Sequence, residues 1–307
     1  MTLAMAGYVI NDVFIKIAAE DLPLFQAIFI RGFFITAVIG VWVIVRGQVA
    51  AIPRVVNPMI LTRVAMEALS TAAFLTALTK LPLAPLTAVF QIVPLAVTFV
   101  AARLLREPVS IHRAGAVVAG FGGVLLIVKP WSEAFSGWYL LGLVAVALIV
   151  VRELVTRRIA SDVPSLVVAF GSAVAITAMG LIVSLIAGWG AMDARAVGLL
   201  FMAAAFLSLG YVASVVTIRV GELSFSAPFR YTILLFAIIL QIVVFREIPD
   251  ALTFVGSGII VVAGLWAFAH EQLVLGTTAR PAASNGYAEL RNKRRLRRPA
   301  ARRRVRS

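Results

Sequence analysis

The sequence predicts an all-α integral membrane protein: ten transmembrane helices forming two inverted five-helix repeats, followed by a disordered basic C-terminal tail. Three observations predict it. Hydrophobic residues make up 62% of the chain and charged ones 14%, against roughly 45–50% and about 25% in an ordinary soluble domain. Charge and proline clusters cut residues 1–269 into ten apolar segments, each near the roughly 20 residues that cross a hydrocarbon core as a helix. The chain also contains a displaced copy of itself. Adding 141 to Pro108, Gly115 and Gly123 lands on Pro249, Gly256 and Gly264, while Arg106 and Glu107 return after 140 as Arg246 and Glu247, so Ile248 is a one-residue insertion. Near the start of each half, Asp12, Lys16, Asp21 and Pro23 fall on Glu153, Arg157, Asp162 and Pro164. An offset that holds at both ends of a unit marks a duplication.

Taken in order, the first half is expected to cross at 1–19, 22–45, 57–79, 83–104 and 109–128, and the second at 137–157, 163–187, 194–218, 223–245 and 250–269. The first segment starts at Met1 without a basic leader and is too long for a signal-peptide core, so it reads as a retained span. The fifth and tenth carry Gly115, Gly120, Gly122 and Gly123, and Gly256, Gly258 and Gly264, small residues that let two helix backbones approach. The units are then 1–130 and 131–271, with 272–307 as the tail. Five spans per unit force the second to enter the membrane from the opposite side, the arrangement of inverted-repeat secondary transporters.

Lys and Arg in short loops set the orientation. One side carries Arg46, Arg54, Arg103, Arg106, Arg113, Arg157, Arg158, Arg219 and the tail; the other carries Lys80, Lys129, Arg195 and Arg246 among acids such as Glu20, Asp21, Glu133, Asp193, Glu247 and Asp250. The basic side is expected to be cytoplasmic, with both termini there, in the inner (plasma) membrane.

With these residues in view, the chain resembles the EamA-type transporters of the drug/metabolite transporter superfamily. The resemblance covers roughly residues 1–270 and rests on two five-span halves. Each half ends in a boundary glutamate, Glu107 or Glu247, then Pro108 or Pro249, then the glycine-rich last span. The stretch through Asp12, Lys16, Pro23, Gln26 and Arg31 is also similar to members named for S-adenosylmethionine or riboflavin uptake. The resemblance implies transport of a small organic metabolite, amino-acid, nucleoside-like, vitamin or drug-like, without choosing the cargo. The arginine-rich tail is not part of the family pattern.

Ionisable groups inside spans mark candidate sites, because a central Arg, Lys or Asp costs about 2.5–3.5 kcal/mol to insert. They are Asp12 and Lys16, Arg31, Arg63 and Glu67, and Arg230. Asp12 with Lys16 and Arg63 with Glu67 stand four apart, so each pair shares a helix face and can neutralise itself. Asp12 and Arg31 lie at similar depth, which favours an interhelical ion pair. Arg230 has no sequence-local acid. Arg63, Glu67, Arg230, Arg31, Gln91 and Tyr211 are therefore the expected substrate contacts, with arginine suited to a carboxylate or phosphate. Asp12 or Glu67 is the expected carrier of a coupling proton. Gln26, Gln91, Tyr211 and Gln241 serve equally as bridges between helices or as contacts to cargo. Glu107 and Glu247 repeat at helix boundaries and read as caps or interfacial groups; Arg152 and Glu153 read as interfacial.

The formal charge of +14 is a property of the tail. Residues 272–307 hold eleven Lys/Arg and one acid, a net of +10, which leaves +4 for the rest. Such a segment is attracted to anionic lipid. Nucleic acid is not an expected partner, since Tyr287 is the tail's one aromatic and single-strand binding draws on stacking platforms. A contrasting reading makes the chain a membrane-anchored interaction protein acting through this tail. The absence of cysteine excludes disulfides and thiolate chemistry. No P-loop, dinucleotide motif or HExxH occurs, and the two histidines, His112 and His270, sit at span ends. Neither catalysis, metal nor cofactor is expected. The expected partners are a small-molecule substrate, protons, anionic lipids and a second copy of the chain in a homodimer.

Overall fold

The computed structural model describes residues 1–104, 111–133, 135–159, 163–220 and 226–270. Helix is the only regular structure among them. The helices are α1 (Thr2–Asp21), α2 (Leu24–Val45), α3 (Pro58–Lys80), α4 (Leu83–Phe90), α5 (Val93–Leu104), α6 (Ile111–Val128), α7 (Trp138–Thr156), α8 (Ser165–Ala187), α9 (Ala194–Val220), α10 (Thr232–Phe245) and α11 (Ala251–His270). With α4 and α5 taken as one span and α10 extended back to Pro228, nine are long and apolar enough to cross a membrane among the described residues. The apolar core of α6 is shorter, Ala114–Val128. The expected segments therefore all appear, shifted by a few residues at their ends.

Local chemistry sets those ends. Pro23, Pro82 and Pro164 occupy the N-cap positions of α2, α4 and α8, where a missing N–H costs nothing. Asn57 caps α3 by accepting from the Met59 amide at 2.9 Å. Asp193 accepts from Ala196 N and Asp250 from Thr253 N, each at 2.7 Å, placing a carboxylate at the positive end of α9 and of α11. Asp250 thus takes the capping role expected of Glu247. Arg106, Glu107, Pro108 and the tail lie outside the described residues.

The elements alternate between two ends of the bundle. The near end holds Met1, the connection around 46–57 and the described parts 157–159 and 163–164 of the next; the far end holds the connections around 22–23, 81–82, 129–133 with 135–137, 188–193 and 246–250. Three pairs pack most extensively: α2 with α8, α1 with α9, and α3 with α7. Thr36 and Thr177, 141 positions apart, meet hydroxyl to hydroxyl at 3.0 Å where α2 crosses α8. Helices α6 and α11 run antiparallel, with Lys129 paired to Asp250, Gly123 against Gly256, and the His112 and His270 rings stacked at 4.4 Å. A Cβ on Gly123 would stand 2.7 Å from the Gly256 carbonyl oxygen, and one on Gly256 would stand 2.6 Å from the Gly123 oxygen. Only glycine permits that approach. Gly115, Gly122 and Gly258, expected to pack similarly, face open space.

Two local features depart from the expected pattern. The second connection winds as a 3-10 segment, Val49–Val56, that lies against α8 with Val55 over Gly171. The fourth span breaks at Gln91 and Ile92, between α4 and α5. Pro94 lacks the N–H that would bond back to Phe90, so the α ladder cannot run through this point. The ninth span likewise opens with a 3-10 turn, Ala227–Tyr231, containing Pro228. Large apolar side chains such as Val45, Ile111 and Ile186 stand exposed on the exterior, as a lipid-facing surface requires.

Candidate functional site

A cavity of about 200 Å³ opens among α1, α2, α3, α8 and α9. It gathers four of the expected contacts, Arg31, Arg63, Glu67 and Tyr211, with Tyr8, Trp42, Ser172 and Ser208. Arg31 projects from α2 and is 5% exposed. Its Nη1 donates to Asn11 Oδ1 at 3.1 Å, and Asn11 Nδ2 donates to Asp12 Oδ1 at 2.9 Å. The direct Asp12–Arg31 ion pair expected from depth is thus replaced by a relay, because the buried Asn11 amide stands between them. Asp12 does not line the cavity.

Glu67 is the hub of the opposite wall. Its Oε2 lies 3.3 Å from Arg63 Nη2, one helical turn away, and its Oε1 accepts from Arg152 Nη1 at 2.7 Å. Arg63 also donates to Ser172 Oγ, and Arg152 to Glu153. These contacts join α3 to both α7 and α8. Arg152, read from sequence as interfacial, therefore belongs to the site. The signal was present in the repeat: Arg152 is the 141-residue counterpart of Asn11, and Ser172 and Ser208 are those of Arg31 and Glu67.

Arg230 and Gln91 fall in a second cavity, of about 280 Å³, with Tyr231, Thr98 and, again, Tyr8. Both stand where their spans lose α geometry, Gln91 at the α4–α5 break and Arg230 in the turn before α10. Discontinuous helices of this kind frame binding sites in membrane carriers. Tyr8 borders both chambers.

Toward the far end the bundle is sealed. Ile15, Ile28, Leu75, Leu78, Leu83 and Leu86 are all fully or almost fully buried. Gln26 donates to Gly190 O at 3.0 Å and accepts from Gly190 N at 2.7 Å. Gln241 accepts from Ala84 N at 2.7 Å, satisfying an amide in the first turn of α4. Lys16 donates to the Leu81 carbonyl and lies over the Phe245 ring. Of the two glutamines, read as either bridges or contacts, Gln241 bridges α10 and α4, and Gln26 ties α2 to the α8–α9 connection. Beyond this layer, Glu247, Lys80, Tyr139 and Asp250 border a far-end vestibule of about 450 Å³. There burial opposes ionisation of Asp250, but hydrogen bonds from Lys129 and Thr253 outweigh it and hold the carboxyl below its ordinary range. No group of three or more metal-ligating side chains forms among the described residues.

Residues 1–129 match the model of the EamA-like transporter family. Over that stretch the chain is similar to the EamA-like transporters. It is 25% identical over 271 residues to an S-adenosylmethionine uptake transporter of Rickettsia prowazekii (strain Madrid E), covering 88% of this chain and 91% of the relative. A pseudopaline exporter of Pseudomonas aeruginosa (strain UCBPP-PA14) is 26% identical over 274 residues, 85% of this chain and 92% of its own. A riboflavin transporter of Brucella anthropi is 25% identical over 217 residues, 68% of this chain and 75% of its own. One solved crystal structure shares the fold at a TM-score of 0.61 and 17% identity, over 89% of this chain and 98% of that one. With transporter-named relatives along most of its length, the chain is a multi-pass membrane transporter of a small molecule and not an enzyme.

Proposed function

We propose that this protein moves a small polar organic metabolite across the inner membrane as a secondary transporter, by alternating access between two inverted five-helix units. The single observation that carries the proposal is the pair of chambers, each with arginine set in a largely apolar wall, on the near-end side of a dry, hydrogen-bonded far-end seal. Such an arrangement is one state of a carrier open to one side at a time. The inverted repeat is supported by the packing. Displacing each helix by one five-span unit turns the α1–α9 pair into α7–α3 and returns α2–α8 to itself, as a two-fold axis through Thr36 and Thr177 would.

Substrate sits in the Arg31–Arg63–Glu67–Tyr211 chamber and extends past Tyr8 toward Gln91 and Arg230. The near end, with Arg46, Arg54, Arg157 and Arg158, is cytoplasmic. Asp12 carries the coupling proton, since Glu67 has both oxygens committed to arginines. The purified chain in liposomes, loaded with or without a pH gradient, tests the reading. S-adenosylmethionine and riboflavin, the cargoes named for its relatives, come first, followed by amino acids and nucleosides. Protein-dependent accumulation that responds to the gradient is expected; none above empty liposomes across the panel refutes the proposal.

A further inference from the structure

In a membrane-buried bundle, hydroxyl and guanidinium donors ordinarily find an acceptor. On this protein's helices the hydroxyls of Thr62, Thr87, Thr98, Thr156, Thr177 and Thr217 bond back to the carbonyl four residues earlier. Ser208 does not. Its Oγ is buried with no hydrogen-bond partner, and so are Arg31 Nε and Arg63 Nε. All three atoms belong to residues that line the same chamber. A buried polar group without a partner costs free energy, and three around one cavity call for a single shared acceptor.

Charge defines that acceptor further. The lining carries two arginines and one glutamate, a net of +1. Glu67 already holds Arg63 on one oxygen and Arg152 on the other, so it offers nothing to a ligand cation. The rest of the wall is apolar or aromatic, with Trp42, Tyr8, Ile35 and Ile176. A dianionic phosphate would leave an uncompensated negative charge in this apolar space, whereas a monoanion neutralises it.

Resting on the transport reading above, we infer that this chamber binds the carboxylate of an amphipathic monocarboxylate, held by Arg31 Nε, Arg63 Nε and the Ser208 hydroxyl, without requiring an amino group on the ligand. The two nitrogens donate to the carboxylate and Ser208 supplies a third donor, while the apolar wall takes the body of the molecule. Recognition is by matched acceptors in place of a ligand ammonium.

The test uses the full chain in detergent with 3-phenylpropionate and its neutral counterpart 3-phenylpropionamide as probes, read by thermal shift and tryptophan fluorescence. The acid is expected to raise the melting temperature and the amide is not. Ser208→Ala, which removes one donor to a charged acceptor, is expected to weaken the acid about tenfold. Arg31→Lys, which keeps the charge but loses the Nε donor, gives a second and independent loss. Equal responses to acid and amide, no response to the acid, or undiminished binding to the properly folded Ser208→Ala variant overturns the assignment. Uptake of a metabolite lacking a carboxylate would leave the transport reading standing and this one fallen; acid binding without uptake of any metabolite would do the reverse.

Discussion

Replacing Glu67 by Gln tests whether the ion cluster holds the two halves together. The substitution keeps shape and removes one negative charge from between two guanidiniums at 3.3 and 2.7 Å. Two unit charges about 4 Å apart attract by about 4 kcal/mol at an effective dielectric of about 20, and desolvation offsets much of that. Removing one partner of a buried pair costs about 3–5 kcal/mol, because the other charge is stranded. Arg63, Glu67 and Arg152 retain 17–21% side-chain exposure, so the lower end, about 3 kcal/mol, applies. Arg152 keeps Glu153 as a partner, while Arg63 keeps only the neutral Ser172 hydroxyl. Adding Arg63→Met to Glu67→Gln removes the stranded cation and should restore about 1–2 kcal/mol relative to additivity. Unfolding of the four cycle members in detergent measures the coupling. A cost below about 1 kcal/mol for Glu67→Gln, or additivity within about 0.5 kcal/mol, would refute the account.

Other perturbations follow from the same structure. Gly256→Val drives a side chain into the Gly123 carbonyl and the Ile127 side chain, and overpacking of this kind should cost about 1–3 kcal/mol, read as a lowered melting temperature; an unchanged value would contradict the backbone contact. Gln26→Leu strands the N–H and C=O of Gly190 and should loosen the far-end seal. Because the chain has no cysteine, a single Leu83→Cys, at a fully buried position, reports this as faster thiol labelling, and unchanged labelling would refute the latch. Asp250 has its folded-state acidity strengthened by Lys129 and Thr253, so folding favours the carboxylate. Its contribution is full above the unfolded value of about 3.9 and is lost as pH falls through the lower folded value. The side chain is 53% exposed, so solvent screens the effect to below about 1 kcal/mol. Asp250→Asn should flatten the acid limb of melting temperature against pH, and an unchanged limb would contradict the assignment.

The ten spans were legible in the chain because apolar length and its interruptions are local quantities. The 141-residue offset was equally legible, since it is a comparison of the chain with itself, and it already paired Asp12 with Glu153. Depth along each helix brought Asp12 and Arg31 to one level, and the i,i+4 spacing foretold the Arg63–Glu67 contact. What spacing does not encode is the rotation of one helix against another. That rotation sends Arg152 to Glu67, inserts Asn11 between Arg31 and Asp12, and turns Arg230 and Gln91 into a separate chamber. It also decides which hydroxyls return to their own backbone and which, like Ser208, face a cavity. By itself the sequence determined that this chain crosses the membrane as helices and repeats. Only packing between distant segments decided which charges neutralise one another and which are left for a ligand, because those pairings depend on ångström distances between helices far apart in the chain.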